Sequence, residues 1–270
     1  MRVTGTSALR TAVRAVAAVT ALGAGLLVVP AHASPGRAPW HVSIKADATG
    51  TVGKKVHLTG KVAASAAGRL VTLQEKAGAG KPWRNQRNAL VHADGTYRTY
   101  DVPTVNQPRR YRVVMPATPR HARGVSASVR VVVYQWQDLG LMTYVNQEGI
   151  DPVGSLMMNG SPFPASLQAA MVDDADTSQS IEFNLDHRCL RFRGAFGISD
   201  DSESDGRASV TASADGAEFY GGVFDVGEYD VAPVTTWVTA PLKLRFDTES
   251  LNVAARGLGA IGTPQVYCTR

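Results

Sequence analysis

The sequence predicts an all-β protein built as two consecutive β-sandwiches, on three observations. Short segments of alternating apolar and polar residues recur along the chain, and Gly, Asn, Asp or Pro turn signals separate them. The charge reverses midway: residues 34–134 hold seventeen Lys and Arg against four Asp and Glu, whereas residues 135–270 hold eight against nineteen. The chain from Ser34 onward accommodates two domains of roughly 100 to 140 residues each.

In chain order, Arg2, Arg10 and Arg14 precede an apolar run from Ala15 to Val29, which ends in the small-x-small pattern Pro30-Ala31-His32-Ala33. Residues 1–33 read as a secretory signal peptide. A membrane anchor needs about 20 apolar residues, whereas Ala and Gly dilute this run and a cleavage site follows it. The expectation is a secreted, extracellular protein with no membrane span in the mature chain. Cys189 and Cys268 are the only cysteines, and in an exported chain such a pair reads as a disulfide. The strand of Cys189 and the last strand must then lie side by side.

Residues 34–134 form the first expected domain. Segments 41–46, 54–62, 69–77, 95–102, 109–115 and 126–134 read as strands, and their spacing predicts a Greek-key sandwich. Alternation turns Val56, Leu58, Val62, Val71, Leu73, Tyr97, Tyr111 and Val113 inward. Trp83 is expected to cover this core, and Trp40 to be either core or an exposed stacking face. His41, His57, His92 and His121 show no metal-ligand spacing. The cation excess marks either a face for an anionic polymer such as a cell-wall glycopolymer, or a surface that docks on the acidic half. Nucleic acid is not an expected partner, because the cations are scattered among strand residues with no recognition helix.

The residues Gly53-x-x-Val56-x-Leu58-x-Gly60, Val71-x-Leu73-Gln74, Trp83, Asp94-Gly95-x-Tyr97, Arg110-Tyr111-Arg112 and the segment Ser126 to Val133 resemble the bacterial Ig-like domains of exported actinobacterial proteins. That resemblance implies an Ig-like β-sandwich acting as a spacer or adhesive module.

Residues 135–156 read as a short junction without a Pro/Ser-rich linker, with Trp136 as a plug between domains and a weakly patterned segment from Leu141 to Leu156. The second domain, residues 157–270, centres on Cys189 to Gly216. There alternation (Phe192, Phe196, Ile198) runs into an acidic loop, resumes as a strand and closes in the Asp215-Gly216 turn. Phe192 and Phe196 are expected in the core.

Asn159-Gly160, Ser166, Ile181-Glu182-Phe183-x-Leu185, Phe192-x-x-x-Phe196-Gly197-Ile198-x-Asp200-Asp201, Val210, Asp215-Gly216 and Leu242-x-Leu244 together resemble the NPCBM family of carbohydrate-binding modules. The resemblance implies a galactose-binding-like jelly-roll β-sandwich and a carbohydrate or cell-surface polymer as partner. Sugar recognition needs an aromatic face together with carboxylate, amide or Arg groups. The expected ligand-binding residues are Tyr220, Phe224, Asp225, Tyr229, Trp237 and Arg245, with Glu228 and Asp230 as further polar candidates. The expected function is non-catalytic carbohydrate recognition. The alternative is a structural or adhesive protein-interaction module without sugar binding, favoured by the Gly-rich Gly257 to Gln265 where family members carry an acid and a Trp.

Asp201-x-Glu203-x-Asp205-Gly206 starts like a calcium loop, but Ala212 holds the place of the bidentate Glu, which excludes an EF-hand. A looser structural calcium site from Asp200, Asp201, Glu203 and Asp205 remains an expectation. No other cofactor is expected. Asp173-Asp174-x-Asp176 is a second acidic loop. Gly257-x-Gly259-x-x-Gly262 spells a dinucleotide fingerprint but has too little chain after it, and reads as a Gly-rich loop. His187 is expected at the surface. No Gly-x-Ser-x-Gly, His-Glu-x-x-His or Cys-His arrangement occurs, so the expectation is a protein that is not an enzyme.

Overall fold

The computed structural model describes residues 36–171 and 178–270. The leader and the Asp173 to Asp176 loop lie outside the described residues. The described chain is all-β: two short 3₁₀ turns accompany twenty strands.

Nine strands make the first sandwich: β1 (Lys45–Ala46), β2 (Thr49–Thr51), β3 (Val56–Lys61), β4 (Leu70–Ala77), β5 (Arg84–Leu90), β6 (Thr96–Asp101), β7 (Arg109–Met115), β8 (Gly124–Val125) and β9 (Val129–Asp138). One sheet runs β1-β3-β6; the facing sheet runs β5-β4-β7-β9, with β8 on β7 and β2 parallel to β9. All eight residues that alternation turned inward are buried between them. Trp40 takes the core place among its two expected ones, whereas Trp83 departs from expectation. Trp40 is in the core, stacked on His121 with ring centroids 3.8 Å apart. Trp83 is half-buried outside it, under the Arg112 guanidinium at 4.2 Å.

Arg109 is buried beside this core. Its Nη1 lies 2.6 Å from Glu75 and 3.5 Å from Asp101, and Tyr111 donates its hydroxyl to Asp101 at 2.7 Å. Burial pushes the Glu75 carboxyl above its ordinary range, against the pull of Arg109.

The second sandwich contains β10 (Asn146–Glu148), β11 (Ile150–Met158), β12 (Ser161–Ala169), β13 (Gln179–Asn184), β14 (Cys189–Ile198), β15 (Arg207–Ala214), β16 (Ala217–Asp225), β17 (Tyr229–Val231), β18 (Thr235–Thr236), β19 (Lys243–Ser250) and β20 (Gly259–Cys268). One sheet runs β10-β13-β19-β15-β16, and the other holds β11, β12, β20 and β14, with β17 and β18 on the free edge of β14. Phe183 and Phe246 from the first meet Phe192 and Phe196 from the second in the core. The Asn159-Gly160 and Asp215-Gly216 dipeptides are two-residue hairpin turns with positive φ at both positions, the backbone such loops require.

The two sandwiches share a strand. β9 pairs with β7 through Val129–Val131, and then Gln135–Asp138 pair with β20 through Gln265–Cys268. Residues 135–156 are thus the end of β9, a 3₁₀ turn, β10 and most of β11. Trp136 lies on the outer face of this shared sheet, with Arg193 4.4 Å over its ring and Tyr267 5.2 Å away.

The Gly-rich segment is not a loop but most of β20, a largely buried strand. Its glycines serve packing. A Cβ at Gly259 would meet the Thr248 side chain at 2.8 Å, and one at Gly262 would meet Met158 and Phe163 at 2.6 Å. Cys189 and Cys268 face each other across β14 and β20 and form the disulfide. Among the described residues no helix is long and apolar enough to cross a membrane.

Two outcomes follow. Arg109→Met strands a buried carboxylate and should cost about 3–5 kcal/mol, while Glu75→Met/Arg109→Met together should recover much of it in urea unfolding. A double variant no more stable than the single one rejects the paired account. Replacing both cysteines by Ala should lower stability by up to about 4.5 kcal/mol for a loop of this length, and reductant should then have no further effect on guanidinium denaturation.

Candidate functional site

The β11–β12 hairpin does not lie flat in its sheet. Near its base Leu167 and Gln168 pair with Ile261 and Ala260 of β20, while its distal half covers the outer face of β14 and β20. Leu156 and Met158 form a small apolar layer with Ala195 and Ala260, against which Phe163 and Tyr229 pack. This layer places the hairpin tip beside the β16–β17 turn.

Asp200 fixes the tip. Its carboxylate accepts the Asn159 N–H at 2.7 Å and the Gly160 N–H at 2.8 Å. On the facing side Gly227 turns the chain with φ +87°, and Glu228 accepts the Asp225 N–H on its carboxylate at 3.0 Å. Tyr229 opens β17 opposite Gly197, where a Cβ would lie 2.6 Å from that of Tyr229, so the strands approach this closely only with glycine. The Tyr229 ring is half-buried and meets Phe163 edge-on at 5.3 Å. Asn159, Val223, Phe224, Gly227, Glu228 and Tyr229 enclose an open groove of about 380 Å³. The Tyr229 ring, the Asn159 amide and the Glu228 carboxylate therefore line one shallow, open surface.

Three of the expected ligand-binding residues, Phe224, Asp225 and Tyr229, fall at or next to this groove, but they differ in what they offer. Phe224 is 7% exposed and belongs to the core, so its ring is not a free stacking face. Asp225 pairs with Arg207 at 3.5 Å on the surface.

The other three stand elsewhere. Tyr220 is stacked on Phe196 at 3.8 Å and donates its hydroxyl to Asp230 at 3.2 Å. Burial first, and Asp230 second, push its phenol up to about 12. Trp237 packs on the core and meets Phe219 edge-on at 6.0 Å. Arg245 lies on β19 between the inward Leu244 and Phe246, so it points away from the core, where it pairs with Asp247 at 2.6 Å. Asn159 and Phe163 were missed as site residues. The Asn-Gly turn was visible, but its partner across the groove is set by the hairpin folding over β14.

The Asp200 to Asp205 turn is stitched by backbone donors. Besides Asp200, Glu203 accepts the Arg256 backbone N–H at 2.7 Å, and the Asn252 side-chain amide adds a donor to the Asp205 carbonyl at 2.8 Å. Among the described residues no three His, Cys, Asp or Glu side chains are grouped so as to hold a metal ion. His187 is exposed, with its Nδ1 2.7 Å from the Ala240 carbonyl.

The chain matches no protein-family model and no curated protein.

Asp200→Ala removes two hydrogen bonds to a charged group and should cost about 2 kcal/mol, with the same loss in calorimetry with and without EDTA. A loss that disappears in the presence of chelator assigns Asp200 to a metal ion instead.

Proposed function

We propose that this is an exported, non-catalytic carbohydrate-binding protein that holds a glycan in the groove between the Asn159-Gly160 tip and Tyr229. The observation that carries the reading is the convergence of Tyr229, Asn159 and Glu228 on one open concavity. The Tyr229 ring supplies the aromatic contact that the apolar side of a pyranose needs, while the amide and carboxylate suit its hydroxyls. The resemblance of the second half to NPCBM modules and of the first to bacterial Ig-like spacers leads to the same reading. Export is proposed from the leader pattern; the disulfide is compatible with an oxidising compartment.

A second reading, a structural or adhesive protein-interaction module, is favoured by the β14 edge. There Val231 is 66% exposed, Val234 52% and Val238 fully exposed along one segment. Retention on a protein partner without competition by sugar would support it.

The test must use the whole mature chain, because a fragment starting near residue 140 would strip β9 from β20. Glycan-array screening followed by calorimetry should find a neutral or acidic glycan whose affinity drops about tenfold or more in Tyr229→Ala. Glu228→Gln should weaken it as well. Binding to no glycan, or binding indifferent to both substitutions, sinks the proposal.

A further inference from the structure

The sheet register of the first sandwich aligns three cations. Lys76 on β4 stands directly opposite Arg110 on β7, and Arg110 directly opposite Arg130 on β9. Directly opposed residues in antiparallel strands hold their Cβ atoms about 5 Å apart, and like charges in such pairs destabilise the sheet. The row thus works against the fold that carries it.

Among the described residues, no carboxylate neutralises it. The half that holds the row has only four acids, Asp47, Glu75, Asp94 and Asp101. Glu75 and Asp101 are committed to Arg109, and Asp94 accepts the backbone N–H and hydroxyl of Thr96. Among the described residues no carboxylate lies in ion-pair distance of Lys76, Arg110 or Arg130, and no ion pair joins the basic half to the acidic half. The row's one side-chain hydrogen bond among the described residues runs from Arg110 to the Ser128 hydroxyl at 3.4 Å. Among the described residues the two halves are joined by backbone pairing of β9 and β20 and not by ion pairs.

The row lines an open groove of about 400 Å³ together with the Gly78–Gly80 loop, Pro108 and Arg109. It crosses three strands, two interstrand steps or about 10 Å. That width exceeds one oxyanion and suits successive charged groups of a polymer. Arg forks bind carboxylate and phosphate oxygens in the same geometry. The cations also share a sheet face with Trp136, because Arg130 and Trp136 are separated by an even number of residues along β9.

We propose that Lys76, Arg110 and Arg130 form a binding site for a polyanionic glycan, one carrying phosphate or carboxylate groups at repeated intervals. The site is separate from the Tyr229 groove and stands without it.

The test measures binding of the whole mature protein to polygalacturonate, to a glycerol-phosphate polymer, to neutral dextran and to a DNA duplex, each at low and moderate salt. Binding to one or both charged polymers and not to dextran is expected, and the stronger arm identifies carboxylate or phosphate as the source. Arg110→Gln/Arg130→Gln should weaken that binding at least tenfold and reduce the logarithmic salt slope by about two, one for each cation removed. Lys54→Gln/Lys61→Gln, an equal charge change at exposed positions outside the row, should change it less than twofold. Tyr229→Ala should leave it unaltered, which separates this site from the groove. Ligand-free Arg110→Gln should melt higher than the parent at low salt, since it relieves repulsion. The proposal is overturned by failure to bind either polymer, by equal losses in the two double variants, by duplex binding as tight as glycan binding, or by a lower melting temperature in Arg110→Gln.

Discussion

The pairing of Gln135–Asp138 with Gln265–Cys268 is the constraint on which the remainder of the molecule depends. It closes the second sandwich against the continuation of a first-sandwich strand, so neither sheet ends where its own core ends. Neighbouring contacts reinforce it from the first half. The Tyr267 hydroxyl meets Thr51, the Asn106 side chain donates to the Cys268 carbonyl at 3.3 Å, and the Arg270 N–H donates to the Asn106 carbonyl at 2.7 Å. The last strand of the chain is thereby needed by both sandwiches, and the disulfide fixes that strand to β14 in the same place. Such pairing is distant in sequence, which carries a loop-closure cost before any contact rewards it. A cross-link between directly opposed residues lowers that cost by restricting the unfolded chain.

The same strand shapes the groove. β20 carries glycine where the β11–β12 hairpin presses on it, and Met158 and Phe163 occupy the space a Cβ at Gly262 would need. With the hairpin held down on one side and Asp200 gripping the tip on the other, Asn159 is presented to Tyr229 from two directions. Gly197 performs the matching service for Tyr229 by letting β17 close on β14. The groove is thus an outcome of close backbone approach, with its polar groups carried on a turn and a strand start that the apolar layer beneath keeps in place.

Local patterning made the cores legible. Alternation suffices for Val56, Leu58, Val71, Leu73, Tyr97, Tyr111 and Val113, and for Phe192 and Phe196, because each lies on a strand with one face buried and one face wet. It fails where a strand is buried on both faces. β20 has little alternation to show, and its glycines, chosen for contact with the hairpin, imitate a loop. Trp40 is ambiguous in sequence, and Trp83 departs from its expected place, for a related reason: large aromatic side chains serve equally as core filler and as a cover for a sheet face, and only their neighbours decide. His121 stacks on one and Arg112 covers the other. Of the expected ligand residues, Tyr220, Phe224 and Trp237 are candidates on residue type alone, and composition does not reveal which ring faces are already occupied. The Lys76–Arg110–Arg130 row was equally invisible, since three basic residues far apart in sequence become neighbours only through the register of three strands.

Charge in this protein is better understood as arrangement than as a total. In the acidic half several carboxylates have structural work: Asp200 and Glu203 hold backbone donors, Asp215 accepts the Leu242 and Lys243 N–H groups, and Asp247 binds Arg245. In the basic half Glu75 and Asp101 are drawn inward to Arg109, so the counter-charges that would have quieted its surface are consumed by a buried network. An isolated surface cation costs little and needs no explanation, because water screens it. A set of cations placed in register across adjacent strands is different, since the sheet itself forces them together and gains nothing from their presence. Such an alignment repels itself and attracts anions, and this is the physical basis on which we propose an external polyanion as its partner.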